Sequence, residues 1–265
     1  MDAKVPLEPP PAYEDGASPT PPTKSAPPRP RAPLPLQLPA LNMIRGKRII
    51  LASASPRRRQ LLAQIGLTNL EIVPSTVPEN QSHSLAPFEY VLATASEKCR
   101  NVYAATIDDA AKGEPALVIA ADTVISTHSG QILEKPRSEA DHITMLRHLR
   151  DSNAGWHKVH TAVVVMAPLL ESLRDPGYAM ESHVEETAVK FDQGVTDALL
   201  EAYVRTREGA DKAGGYAVQG AGSVLVERLE GSWDNVVGLP LRATLMLIER
   251  VIVEPEIGEE VEEAL

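Results

Sequence analysis

The chain has 265 residues, 43% of them hydrophobic and 4% aromatic, and a formal net charge of −10. That length allows one large domain or two small ones, and no apolar run reaches the roughly 18 residues that a membrane span needs. The acidic balance argues against a long nucleic acid held by counterion release, and the single cysteine, Cys99, excludes an intramolecular disulfide. The first residues lack the basic-then-apolar pattern of a secretory signal, so the expected location is the cytoplasm, away from membranes.

Residues 1–42 contain 13 of the 23 prolines, in runs such as Pro9-Pro10-Pro11. Such a composition buries too little apolar surface to offset the entropy of ordering, so 1–42 is expected to be a disordered tail of polyproline character, open to binding other proteins. A folded body is expected over 43–253. Residues 254–265 carry six glutamates and no base, and are expected to form an acidic tail.

The body opens on Ile49-Ile50-Leu51-Ala52, short and β-branched enough for a buried strand. A turn of small hydroxyl residues follows, then a helix with Pro56 in its first turn, Ser55 as candidate N-cap and Gly66 as the stop. Arg57, Arg58 and Arg59 crowd the helix start, where cations oppose the macrodipole. Two readings stay open here: a phosphate site or a solvated basic turn.

A second strand is expected at 71–75, then a loop carrying Glu79, and a long helix over 87–105 that contains Lys98. The run 116–121 reads as a buried strand ending at Asp122-Thr123, with Val124-Ile125 extending it. A short strand at 132–133 leads to Glu134-Lys135-Pro136, and Ser138 caps a helix to about residue 150. His142 and His148 on that helix are expected at the surface. Two long strands, 157–167 and 183–192, flank a polar loop. Thr196 caps a helix to about residue 207, and a glycine-rich segment covers 211–220. A strand at 223–229, a turn at 231–235 and a last helix ending at 253 complete the body. Alternating strands and helices indicate α/β, and the adjacent strand pair makes the sheet mixed.

Carboxylates (Glu79, Asp122) and cations (Arg57, Arg58, Lys98, Lys135) recur at strand ends, beyond which ligands bind in open α/β sheets. Asp122 follows a run too apolar to carry a charge cheaply: it either caps a turn at the strand exit or meets a partner, a metal or water. No Walker A motif and no zinc spacing competes. A compact basic pocket on an acidic body suits a small polyanion.

Leu51-Ala52-Ser53-Ala54-Ser55-Pro56-Arg57-Arg58 resembles the signature of the Maf family of nucleoside triphosphate pyrophosphatases. Four further blocks follow in that family's order: Ala121-Asp122-Thr123-Val124, Glu134-Lys135-Pro136, the segment 212–220, and Asn235-Val236-Val237-Gly238-Leu239-Pro240. The resemblance implies an elongated, two-lobed α/β molecule with a cleft at a mixed central sheet, often a homodimer. It also implies an enzyme that cuts a nucleoside triphosphate between its α and β phosphates with a divalent cation such as magnesium, manganese or cobalt. On that reading Asp122 activates water or helps hold the metal, and Glu79 is a metal ligand. Ser53, Arg57, Arg58, Lys98 and Lys135 grip the triphosphate. One branch of the family, with tryptophan after the signature proline, is associated with methylated guanine nucleotides. Arg57 stands there in this chain, and with Thr123 and Gln219 it resembles the branch acting on dTTP and UTP. Gln219 offers a donor and an acceptor, which suits the edge of a pyrimidine. House-cleaning of the nucleotide pool, modified pyrimidines included, is the expected role. The alternative is a non-catalytic nucleotide-binding regulator of division or septum formation.

Overall fold

The computed structural model describes residues 36–77, 81–82, 84–169 and 177–253. In chain order they form helix α1 (Pro39–Ile44), strand β1 (Ile49–Leu51), helix α2 (Pro56–Gln64), strand β2 (Leu70–Ile72), helix α3 (Pro87–Thr106) and strand β3 (Leu117–Ser126). There follow β4 (Ile132–Leu133), α4 (Glu139–Asp151), the long strands β5 (Trp156–Pro168) and β6 (Tyr178–Phe191), and α5 (Asp197–Arg205). Strand β7 (Val226–Glu230) and helices α6 (Trp233–Val237) and α7 (Leu241–Val253) close the series. Among the described residues no helix is long and apolar enough to cross a membrane.

The strands join one mixed sheet in the order β2-β1-β3-β5-β6-β7, with β4 paired to β3. Strands β2, β1 and β3 are parallel, and β3, β5, β6 and β7 pair antiparallel. Parallel neighbours need a crossover, and α2 and α3 supply them. The α/β class and the mixed sheet are as the sequence pattern indicates.

Strand β3 is apolar from 117 to 121 because both of its faces are covered. Leu117, Ile119 and Ala121 pack with residues of α1, α2 and α7, whereas Val118 and Ala120 pack with residues of α3. Side chains alternate along a strand, so Asp122 falls on the α3 side and Thr123 on the α2 side. The hydrogen-bond partners agree: Lys98 of α3 for Asp122 and Arg58 of α2 for Thr123. A third cluster joins Leu146 and Leu149 of α4, Leu200 and Tyr203 of α5, Phe191 and Tyr216.

Several elements depart from the sequence pattern. Helix α1 begins within the proline-rich stretch, because Ala40, Leu41 and Ile44 share one helical face and bury it beside α7 residues Leu247 and Val251. Strand β6 starts at Tyr178 rather than 183, since its pairing with β5 continues out to Pro168. Strand β7 starts at Val226, after a short 3-10 turn over Ala221–Leu225. The expected turn at 231–235 is the start of α6, where the Asp234 carboxylate accepts from the N–H groups of Asn235 and Leu241. His142 is buried rather than exposed: α4 turns it toward the glycine-rich turn, where Nε2 lies 2.5 Å from the Gly215 carbonyl oxygen. His148 is exposed, as expected.

His157 is buried on β5, edge-on to Phe191 and Tyr216. Its Nδ1 lies 3.3 Å from the Gly155 carbonyl, which only accepts, so Nδ1 carries the proton. Nε2 then accepts from the Tyr216 hydroxyl at 2.8 Å. Burial pushes the imidazole down to about 4 from its ordinary 6.5. A depressed histidine favours the neutral folded form, so its stabilisation is complete above pH 6.5 and is lost as pH falls through 4. Between those limits this group alone should remove about 3 kcal/mol of unfolding free energy. Urea denaturation at pH 7 and pH 4 measures the loss, which should be smaller by about that amount in His157→Gln.

Candidate active site

Beyond the carboxyl ends of β1 and β2, where ligands bind in open α/β sheets, lies a cavity of about 440 Å³. Its size is within the usual range for a small-molecule site. Its walls come from eight segments: residues 52–58 after β1, Pro74 and Ser75 after β2, Lys98 of α3, the middle of β3, Lys135 after β4, Val159 of β5, the turn at 211–216, and residues 236–238 at the end of α6. Among the described residues that line it, Arg57, Arg58, Lys98, Lys135 and Lys212 are cationic, and Asp122 and Asp211 are the carboxylates. Ile125, Val159, Ala213, Tyr216 and Val236 add an apolar surface.

Asp122 is 6% exposed, and its Oδ1 accepts from Lys98 Nζ at 2.8 Å. The carboxylate therefore has the partner that its place at the end of an apolar run demands. It also stays accessible from the cavity, so capping a turn is not its role: β3 runs on through it to Ser126.

The three signature arginines separate into distinct positions. Arg58 turns back into the protein, donating to Gly238 O and Ala121 O at 2.8 Å each, to Ser53 Oγ at 2.9 Å and to Thr123 Oγ1 at 3.1 Å. Arg57 lines the cavity with one long bond, Nε to Val237 O at 3.4 Å. Burial lowers its pKa below the usual guanidinium range, opposed by the negative charges of Asp211 and Glu208. Arg59 is exposed and outside the lining.

Pro56 stands in the first turn of α2, but Ser55 makes no side-chain capping bond among the described residues. Its N–H instead donates to Ser53 Oγ at 3.3 Å. The uncapped N-terminus and its basic turn thus face the same cavity, an arrangement that favours an anion. Lys212 lines the cavity as well, with Nζ 2.5 Å from both Asp211 Oδ1 and the Glu208 carbonyl oxygen. The Asp211 carboxyl sits below its ordinary pKa because Lys212 hydrogen-bonds to it.

Ser53, Arg57, Arg58, Lys98, Asp122, Thr123 and Lys135, all expected at the site, share this cavity. Gln219 does not line it and is exposed on the turn before Gly220. Glu79 lies outside the described residues, among which no group of three or more His, Cys, Asp or Glu is placed to hold a metal. Sequence reasoning missed Asp211, Lys212 and Tyr216 as lining residues. Their signal was the glycine-rich segment around them, whose positive-φ Gly214 and Gly215 fold it against Ile125 and His142.

Across residues 48–251 the chain matches the family of Maf-like proteins. A protein of Schizosaccharomyces pombe named dTTP/UTP pyrophosphatase is 47% identical over 211 residues, covering 79% of this chain and 86% of that protein. One of the same name from Deinococcus radiodurans is 40% identical over 201 residues, covering 76% and 91%. A solved HAM1 protein from Coxiella burnetii aligns over 77% of this chain and 99% of that one at 14% identity, with a TM-score of 0.36 too slight to add to the sheet order above. The cavity's residues, from Ala52 to Gly238, all fall inside the matched span, and the chain belongs to the Maf family.

Proposed function

We propose that this chain is a nucleoside triphosphate pyrophosphatase acting on dTTP, UTP or modified pyrimidine nucleotides. The observation that carries the reading is a buried carboxylate, Asp122, held by Lys98 in a cavity whose lining carries five cations and one other carboxylate, Asp211. In the reaction a water oxygen bonds to the α-phosphorus, the α–β anhydride bond breaks, and pyrophosphate leaves with the bonding electron pair. Asp122 accepts the proton that the attacking water loses. Lys98, bonded to Asp122, holds that carboxylate in place. Arg57, Lys135 and Lys212 offset the charge growing on the leaving pyrophosphate, in a site arranged before substrate arrives. The name dTTP/UTP pyrophosphatase, shared by relatives at 47% and 40% identity, supports the substrate class.

A hard divalent cation binds oxygen, and magnesium in particular is held by one or two carboxylates plus substrate phosphates. Of the two carboxylates in the thiol-free lining, Asp211 is paired with Lys212, and Asp122 is the one proposed to hold the cation, with Glu79 as a proposed second ligand. Such a cation, when bound, polarises the phosphoryl oxygens and lowers the pKa of bound water. The rival reading, a non-catalytic regulator, is not favoured: a site that only binds a polyanion gains nothing from a buried carboxylate facing it.

Asp122→Asn should lower kcat for pyrophosphate release from dTTP and UTP by about 10²–10⁴-fold, the usual worth of a general base. Its thermal melt should stay close to wild type, and wild-type turnover in this variant would remove Asp122 from the mechanism. Chelation with EDTA should abolish pyrophosphate release, and magnesium, manganese or cobalt added singly should restore it. Turnover that persists in excess chelator would exclude the cation.

A further inference from the structure

Thr161 lies outside the cavity lining and is fully buried on β5, yet it determines what Thr123 offers to a ligand. The Thr161 hydroxyl donates to the Asn235 carbonyl oxygen at 3.0 Å. A carbonyl only accepts and a hydroxyl has one proton, so that proton is committed. The 3.0 Å contact between Thr161 Oγ1 and Thr123 Oγ1 then has one polarity, with Thr123 donating. Arg58 Nη2, a donor without acceptor capacity, takes one lone pair of Thr123 Oγ1 at 3.1 Å. Among the described residues no donor takes the second lone pair, and Thr123 lines the cavity.

The acceptor that begins this chain is itself fixed. Asn235 is fully buried, and its Nδ2 donates to Val159 O at 3.2 Å and Thr187 Oγ1 at 2.9 Å.

We infer that Thr161 is a positioning residue that makes Thr123 an acceptor-only contact for a hydrogen-bond donor on the nucleoside part of the substrate. The inference rests on the nucleotide reading above and deepens it. Phosphate oxygens at neutral pH are acceptors, so Thr123 faces away from the triphosphate in function, although it shares a cavity with the cations. Two donors of a uridine or thymidine nucleotide have the required chemistry: the ring N3–H and a sugar hydroxyl. Cytosine carries an acceptor at N3 and lacks the first.

Kinetics on the wild-type protein with UTP, CTP, N3-methyl-UTP and 2′,3′-dideoxy-UTP separate the two sources. We expect kcat/KM to fall about tenfold, mainly through KM, for CTP and N3-methyl-UTP if the base is read, or for the dideoxy analogue if the sugar is read. Thr161→Val, which frees the Thr123 hydroxyl to rotate, should erase that preference, and Thr161→Ser should restore it. Thr123→Val, which removes the acceptor itself, should erase it too and stands in if Thr161→Val does not fold. Equal use of all four nucleotides by the wild type, or a preference that survives in Thr161→Val or Thr123→Val, would overturn the inference. Absence of hydrolysis of any nucleotide would instead overturn the proposed function. Equilibrium binding of the same four would then still test the acceptor at Thr123.

Discussion

The cavity depends on the Arg58 guanidinium. Its hydrogen bonds join the turn after β1, the backbone of β3 and the loop after α6, a segment 180 residues away in sequence. Ala121 lies just past the end of the β1–β3 pairing and Gly238 just past α6, and a planar fork of donors meets both carbonyl oxygens at once. A lysine at this position would offer a point charge and no such fork. The residue that reads as a phosphate ligand in the linear signature is, in the folded chain, also the tie that gives the site its walls.

Around that tie the protein gathers more positive charge than its own stability favours. Arg57, Lys98, Lys135 and Lys212 share one cavity with Arg58, in a chain that is acidic as a whole. Asp122 and Asp211 relieve part of the repulsion by pairing with Lys98 and Lys212. Burial still lowers the Arg57 pKa, a sign that its charge is held at a cost. A polyanion converts that cost into binding energy, which is the pattern expected of a functional site that sacrifices local consistency. The same cost makes the N-terminus of α2 a reasonable place for Arg57 and Arg58, whereas Arg59 is exposed outside the cavity.

The polar side chains behind the cavity run as one thread, from Arg58 through Thr123 and Thr161 to Asn235 and Thr187. Thr187 continues it to Ser232, accepting from its N–H at 3.0 Å and donating to its carbonyl at 3.1 Å. The thread crosses β3, β5 and β6 and anchors the start of α6. Every residue of the thread has at least one partner, while the buried Asn235 Oδ1 has none among the described residues, so one acceptor's desolvation is left uncompensated there. The thread's rigidity is what lets a threonine at the cavity wall keep a fixed hydrogen-bond polarity.

The strand, turn and helix at 49–66 were legible because apolar run, proline and glycine agree locally. Asp122 stood out because a carboxylate after five buried residues needs a partner, and Lys98 is that partner. Helix α1, helix α6 and the burial of His142 were not legible, since each depends on a surface supplied by distant residues: α7, the Asp234–Leu241 bond and the Gly215 turn. Asp211, Lys212 and Tyr216 were hidden for the same reason, inside a glycine-rich segment whose path only its packing defines. By itself the sequence determined the α/β class, the basic signature and the carboxylate at Asp122, because these follow from local composition and period. The tertiary structure alone decided that, of two arginines on the same cavity wall, Arg58 is tied by bonds to Ser53, Ala121, Thr123 and Gly238 while Arg57 makes one long bond to Val237. The two are adjacent in sequence and identical in chemistry, and they differ only in which distant carbonyls come within reach.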